Sequence, residues 1–168
     1  YANLALYLCG LTKLTKMIKI GVVGSGAMGS GIAQVAASAG HEVFIYDNNP
    51  DALQRSRQQL AKIMARLVEK GKITSEESDG IQNRITYIDS IFQFLEVGLV
   101  IEAIVERLDV KQAVFEQLED VLADDAILAT NTSSLPVAAI AAACQRPERV
   151  LGLHFFNPAP LMALVEVV

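Results

Sequence analysis

Tryptophan is absent from this chain, aromatic residues make up 6% of it, and cysteine and histidine occur twice each. The two cysteines, Cys9 and Cys144, stand far apart with no metal-ligand spacing. That excludes a disulfide framework and leaves a reducing cytoplasm as the simplest setting. Positive charge is also short: 14 Lys and Arg face 19 Asp and Glu, a net −5. An acidic balance argues against general nucleic-acid binding, which needs a basic field. No apolar run approaches the roughly 20 residues of a membrane-spanning helix, so no membrane partner is expected. There is no repeat, linker or low-complexity segment. What is present is apolar: 52% of the 168 residues are hydrophobic and 20% charged, the composition of a globular domain rich in buried strands.

The ends carry two expectations. Leu4 to Leu11 is apolar but short, with no basic residue before it, and makes a poor signal peptide. A strand pattern starts directly after Met17, so residues 1–16 are expected to be a leader, tag or extension. At the other end Leu164-Val165-Glu166-Val167-Val168 reads as a strand in which the chain stops. Domains seldom end inside strands, so the sequence is expected to be a fragment.

Between the ends, strand-like runs alternate with helical ones. Ile18–Val23, Glu42–Tyr46, Ile85–Ile88, Leu99–Glu102, Ile127–Thr130, Val150–Leu153 and Leu164–Val168 are the strands. Helices are expected over 28–39 (closed by Gly40), from Asn49-Pro50-Asp51 to about Lys70, from Thr74 with its capping box, and over about 109–121. Leu53, Leu60, Ile63, Met64 and Leu67 recur at helical spacing. Unbroken apolar strands alternating with helices predict an α/β fold of the Rossmann type, doubly wound, with a mostly parallel sheet and helices on both faces.

Gly24-Ser25-Gly26-Ala27-Met28-Gly29 fits G-x-G-x-x-G. The pattern is weak alone, but here it follows a strand and opens a helix, the context that gives it meaning. The first glycine permits the tight turn, the second lets backbone approach a pyrophosphate, and the third lets helix and strand pack closely. The helix N-terminus offers N–H groups and partial positive charge to the phosphates. Asp47 ends the second strand, 18 residues beyond Gly29. A carboxylate there accepts hydrogen bonds from a ribose diol and repels a 2′-phosphate, which predicts NAD rather than NADP.

Several segments together resemble the L-3-hydroxyacyl-CoA dehydrogenase family, including its 3-hydroxybutyryl-CoA branch. They are the run from Gly24 to Ala37, Gly40-His41, Asn131-Thr132-Ser133-Ser134, His154-Phe155-Phe156-Asn157-Pro158-Ala159-Pro160, and Leu164-Val165-Glu166-Val167. The resemblance spans Met17 to Val168, so that 17–168 is expected to be that family's NAD-binding domain. It implies oxidation of the 3-hydroxyl of an acyl-CoA to a ketone with hydride passing to NAD. By the same resemblance His154 is the general base or acid, Glu166 its carboxylate partner, and Ser133 a contact of substrate oxygen and cofactor. Asn157, Glu106 and Lys111 match cofactor contacts, and Lys70 matches a CoA contact. The family's second, all-helical domain, which supplies a catalytic Asn and makes homodimers, is absent from this sequence. Ala163 departs from the family's usual lysine.

Chemistry supports part of this independently. Oxidising an alcohol by hydride loss needs a base, and an imidazole titrates near neutrality. A carboxylate on its other nitrogen fixes the tautomer. An acid set between Val165 and Val167 is costly to bury unpaired, which favours a pair. A lone strand-end histidine more often just bonds backbone, and Ser133 can simply cap the helix after Pro136. His41, at a helix-to-strand turn, reads as structural. Arg55, Lys62, Arg66 and Lys70 share one helical face. That face suits the phosphates of CoA, although such a stripe is more often only solvated.

Other readings stay open. A dehydrogenase of a free hydroxy acid, of the L-gulonate type, shares the glycine loop, a His and an Asn-Pro. The β-hydroxyacid dehydrogenases share G-x-G-x-M-G but use a lysine base. A nucleotide-binding or structural protein that has lost catalysis is the third.

Overall fold

The computed structural model describes residues 17–168. The expected leader at 1–16, Cys9 included, lies outside them. Seven strands form one sheet in the order β3-β2-β1-β4-β5-β6-β7. They are β1 (Lys19–Val23), β2 (Glu42–Tyr46), β3 (Ile85–Ile88), β4 (Leu99–Glu102), β5 (Ile127–Thr130), β6 (Val150–Phe155) and β7 (Val165–Val167). Every neighbouring pair is parallel except β6 and β7. The helices are α1 (Ala27–Ser38), α2 (Pro50–Glu69), α3 (Ser75–Asn83), α4 (Leu108–Val121) and α5 (Val137–Ala141).

Alternation along each strand sorts the core into two layers. Ile20 and Val22 of β1, Val43 and Ile45 of β2, and Ile101 of β4 face Ile32, Leu53, Leu60 and Met64 of α1 and α2. Val23, Val100 and Leu128 face the other way, onto Phe94, Phe115, Leu118 and Ile140. Both faces of the central strands are covered, which is why these strands read as unbroken apolar runs.

Local signals set the helix ends where the sequence puts them. The Asn49 side chain accepts from Asp51 and Ala52 N–H, with Pro50 first in α2. Thr74 and Glu77 make a reciprocal capping box on α3. His41 bonds the Ile18 carbonyl at 3.2 Å and is structural.

One strand boundary differs from the sequence reading by more than a single residue. β6 continues two residues past Leu153, because β7 folds back antiparallel on it and the Asn131 side chain accepts from Phe155 N–H at 2.8 Å. His154 therefore sits within a paired strand rather than past its end. Beyond it, Leu161, Met162, Leu164, Val167 and Val168 are all exposed. No helix among the described residues is long and apolar enough to cross a membrane.

Candidate functional site

The strand order reverses at β1: β2 and β3 lie on one side of it, β4 to β7 on the other. In open sheets of this kind ligands bind at the carboxyl ends of the strands beside that switch. Gly24, Asp47, Glu106, Ser133 and His154 all lie at or just after such ends, on β1, β2, β4, β5 and β6.

Two of the three glycines of the loop are required by the packing of the turn, and the third leaves open space. Gly24 has φ +99, and a Cβ there would lie 2.6 Å from the Ala103 carbonyl oxygen. At Gly29 a Cβ would lie 1.8 Å from the Gly24 oxygen, so only glycine lets α1 pack this close to the turn. Gly26 is the opposite case. It is exposed, and a Cβ there would meet nothing within 4 Å. This open side fronts the N-terminus of α1, which no side chain caps. The cradle suits an incoming phosphate in both shape and charge.

Asp47 is half-buried and already oriented. Its Oδ2 accepts from the Ser25 N–H and hydroxyl, both at 2.8 Å, and its Oδ1 accepts from Asn49 N–H at 2.9 Å. A carboxylate has about four acceptor positions, so lone pairs remain for a ribose diol.

His154 and Glu166 are directly opposite each other across β6 and β7. His154 Nδ1 lies 2.8 Å from Glu166 Oε2. A carboxylate only accepts, so Nδ1 carries the proton and Nε2 is left for a substrate. The Phe156 ring packs on the imidazole, with centroids 4.6 Å apart. The sequence reading expects Glu166 to be a buried acid. Its side chain is in fact 55% exposed, in keeping with the place of β7 at the edge of the sheet.

Glu106 organises the loop after β5. It accepts from the hydroxyls of Thr132 and Ser134 and from the N–H groups of Ser133 and Ser134. Lys111 Nζ lies 3.3 Å away. Burial pushes its pKa up, but the Thr132 hydrogen bond and the Lys111 charge outweigh that and hold it at about 2. A carboxylate depressed in the folded state stabilises the fold above its ordinary value near 4.5, and that contribution is lost as pH falls toward 2. The melting temperature of the protein is therefore expected to fall through this window, and to fall less steeply in Glu106→Gln. Parallel curves for the two proteins would refute this.

Ser133 is exposed, and its hydroxyl bonds no other described residue, so it is open to a ligand. Asn157 is likewise exposed, at the turn after β6. Lys111 is 1% exposed, and its ammonium is held by two carboxylates, 2.6 Å from Glu102 Oε1 and 3.3 Å from Glu106 Oε2. Lys70 is exposed at the C-cap of α2. A helix of 20 residues is about 30 Å long, so Lys70 lies remote from the glycine loop.

Some residues of the site escape the sequence reading. Asn131 ties the β5 loop to the backbone beside His154. Glu102, buried at the end of β4, accepts from Lys111, Thr130 and Ile104 N–H. A carboxylate closing the run Leu99-Val100-Ile101 was the available signal, since burial of such a group demands partners.

The fold is that of a dinucleotide-binding domain, with a histidine–carboxylate pair at the same end of the sheet as the glycine loop. A family model described as 3-hydroxyacyl-CoA dehydrogenase, NAD binding domain, matches residues 19–168. The chain belongs to that family and is an NAD-binding domain of it. It is 48% identical over 149 residues to a 3-hydroxyadipyl-CoA dehydrogenase of Escherichia coli, covering 89% of this chain and 31% of that protein. To a 3-hydroxybutyryl-CoA dehydrogenase of Mycobacterium tuberculosis it is 45% identical over 151 residues, covering 89% and 53%. A crystal structure of an E. coli 3-hydroxybutyryl-CoA dehydrogenase superposes with a TM-score of 0.88 at 47% identity, covering 90% of this chain and 32% of that one. The chain thus spans from a third to about half of the relatives it matches.

Proposed function

We propose that this chain is the cofactor-binding and proton-transferring part of an enzyme that interconverts (S)-3-hydroxyacyl-CoA and 3-oxoacyl-CoA. The observation that carries the reading is the His154–Glu166 pair, poised at the same end of the sheet as the glycine loop. Gly24, Ser25, Gly26, Ala27, Met28 and Gly29 hold the pyrophosphate, and Asp47 accepts from the ribose. Glu106, Ser133 and Asn157 line the nicotinamide end, while Lys111 acts by fixing Glu106. NAD, when bound, supplies the hydride acceptor or donor.

In the oxidising direction His154 Nε2 takes the proton of the 3-hydroxyl. Glu166 keeps Nδ1 protonated and stabilises the imidazolium that forms. The free Ser133 hydroxyl hydrogen-bonds the substrate oxygen. Lys70, with the basic face of α2, meets a phosphate of CoA. Homodimers made through the helical second domain of the family, and a cytoplasmic setting, belong to the same reading.

The test is NADH absorbance with acetoacetyl-CoA, with free acetoacetate as control, on protein from the full reading frame. Oxidation only with the thioester is expected. Turnover of the free acid instead would favour a hydroxy-acid dehydrogenase, and no turnover of acyl-CoA of any chain length by a folded, NADH-binding protein would refute the reading.

A further inference from the structure

Two serine hydroxyls lie between the glycine loop and α2 and take no part in the chemistry above. Ser30, in the first turn of α1, donates to the Ser25 carbonyl oxygen at 2.8 Å. Its oxygen also lies 2.8 Å from the hydroxyl of Ser56, on the buried face of α2. A serine hydroxyl has one proton, and that of Ser30 is already committed to Ser25. Ser56 is therefore the donor of the pair. The polarity is forced in one direction, from Ser56 to Ser30 to the Ser25 carbonyl.

The Ser25 residue is thus held at both ends. Its N–H is tied to Asp47 Oδ2 at 2.8 Å and its carbonyl to Ser30. The Ser25–Gly26 peptide is trans, since Asn157–Pro158 is the one cis bond among the described residues. In a planar trans peptide the carbonyl and the following N–H point in opposite directions. Drawing the Ser25 oxygen inward onto Ser30 therefore turns the Gly26 N–H outward. Gly26 itself is exposed, and even a Cβ added to it would meet nothing within 4 Å, so the residue has open space around it.

We propose that Ser30 and Ser56 are positioning residues for the dinucleotide. They fix the plane of the Ser25–Gly26 peptide, and so aim the Gly26 N–H at the pyrophosphate without touching it. Through Ser25 they also couple the phosphate cradle to Asp47, the ribose acceptor. This rests on NAD occupying the glycine loop.

Ser30→Ala frees the Ser25 carbonyl and strands the Ser56 hydroxyl, so it carries a stability cost as well. The double variant Ser30→Ala/Ser56→Ala removes the stranded hydroxyl and separates the two effects. NADH affinity would be measured by fluorescence titration in the wild-type chain and both variants, with melting temperatures alongside. One lost hydrogen bond predicts a Kd for NADH raised about 3- to 10-fold in both variants. The double variant should regain much of the lost melting temperature without regaining affinity. Where turnover is present, KM for NADH rises with kcat nearly unchanged. Wild-type affinity in both variants, or affinity that recovers with melting temperature in the double variant, would overturn the proposal. Failure of the wild-type chain to bind NADH would overturn the cofactor assignment itself, and this proposal with it.

Discussion

His154→Ala is expected to lower kcat by about 10²- to 10⁴-fold, the usual worth of a positioned general acid–base group. The Kd for NADH should stay within about twofold, because the side chain contacts Glu166 and Phe156 but no part of the glycine loop. The variant should also fold, since the imidazole is not part of either core layer. Glu166→Gln is expected to cost less, on the order of 10- to 100-fold. An amide can still orient the ring, but it cannot stabilise the imidazolium as a carboxylate does. The 55% exposure of Glu166 limits the loss, because water substitutes for part of the missing charge. Steady-state kinetics with acetoacetyl-CoA and NADH reads both values. Retention of more than a tenth of the activity by His154→Ala would remove the histidine from the chemistry. An equal loss of NADH binding would make its role structural.

The sequence carried this pair at twelve-residue separation. The segment 156–164 carries the chain back so that Glu166 lies directly opposite His154 on the antiparallel β7, and it was the family resemblance of the two segments that made the pair legible. The helix caps at Asn49 and Thr74 were equally legible, since their signals are local. What escaped was long-range. The hydroxyls of Ser30 and Ser56 meet only because α1 and α2 pack side by side, and no spacing rule connects residues on separate helices. Asn131, just after β5, reaches Phe155 on the neighbouring β6. Lys111 reads as a cofactor contact because its motif position suggests one; nothing local reveals its buried ion pair with Glu102. The extent of β6 was missed for the same reason, as it depends on a partner strand and on Asn131.

The second large effect comes from that buried pair. Lys111 and Glu102 have side chains 1% and 0% exposed, with the ammonium 2.6 Å from Oε1. Removing one member of such a pair leaves the other charged in a dry site, which typically costs about 3–5 kcal/mol. Lys111→Met leaves Glu102 with only the Thr130 hydroxyl and the Ile104 N–H as donors. For a chain of this size that cost corresponds to a melting temperature lower by roughly 6–20 °C. Glu106 loses its cation as well, so the loop from Thr132 to Ser134 should loosen and NADH binding weaken. Adding Glu102→Gln to Lys111→Met removes the stranded charge; the amide oxygen still accepts from Ile104 N–H, and the amide NH2 can donate to the Thr130 hydroxyl oxygen. The double variant should then recover more than half of the lost melting temperature, because a buried ion pair is worth little against a neutral replacement of similar volume. Its NADH affinity should remain low, since Glu106 still lacks Lys111. Thermal melts and NADH titration of the three proteins decide this. A double variant no more stable than Lys111→Met would show that the pair contributes attraction beyond offsetting its own desolvation, and full recovery of affinity would show that Glu106 needs no cation to hold the loop.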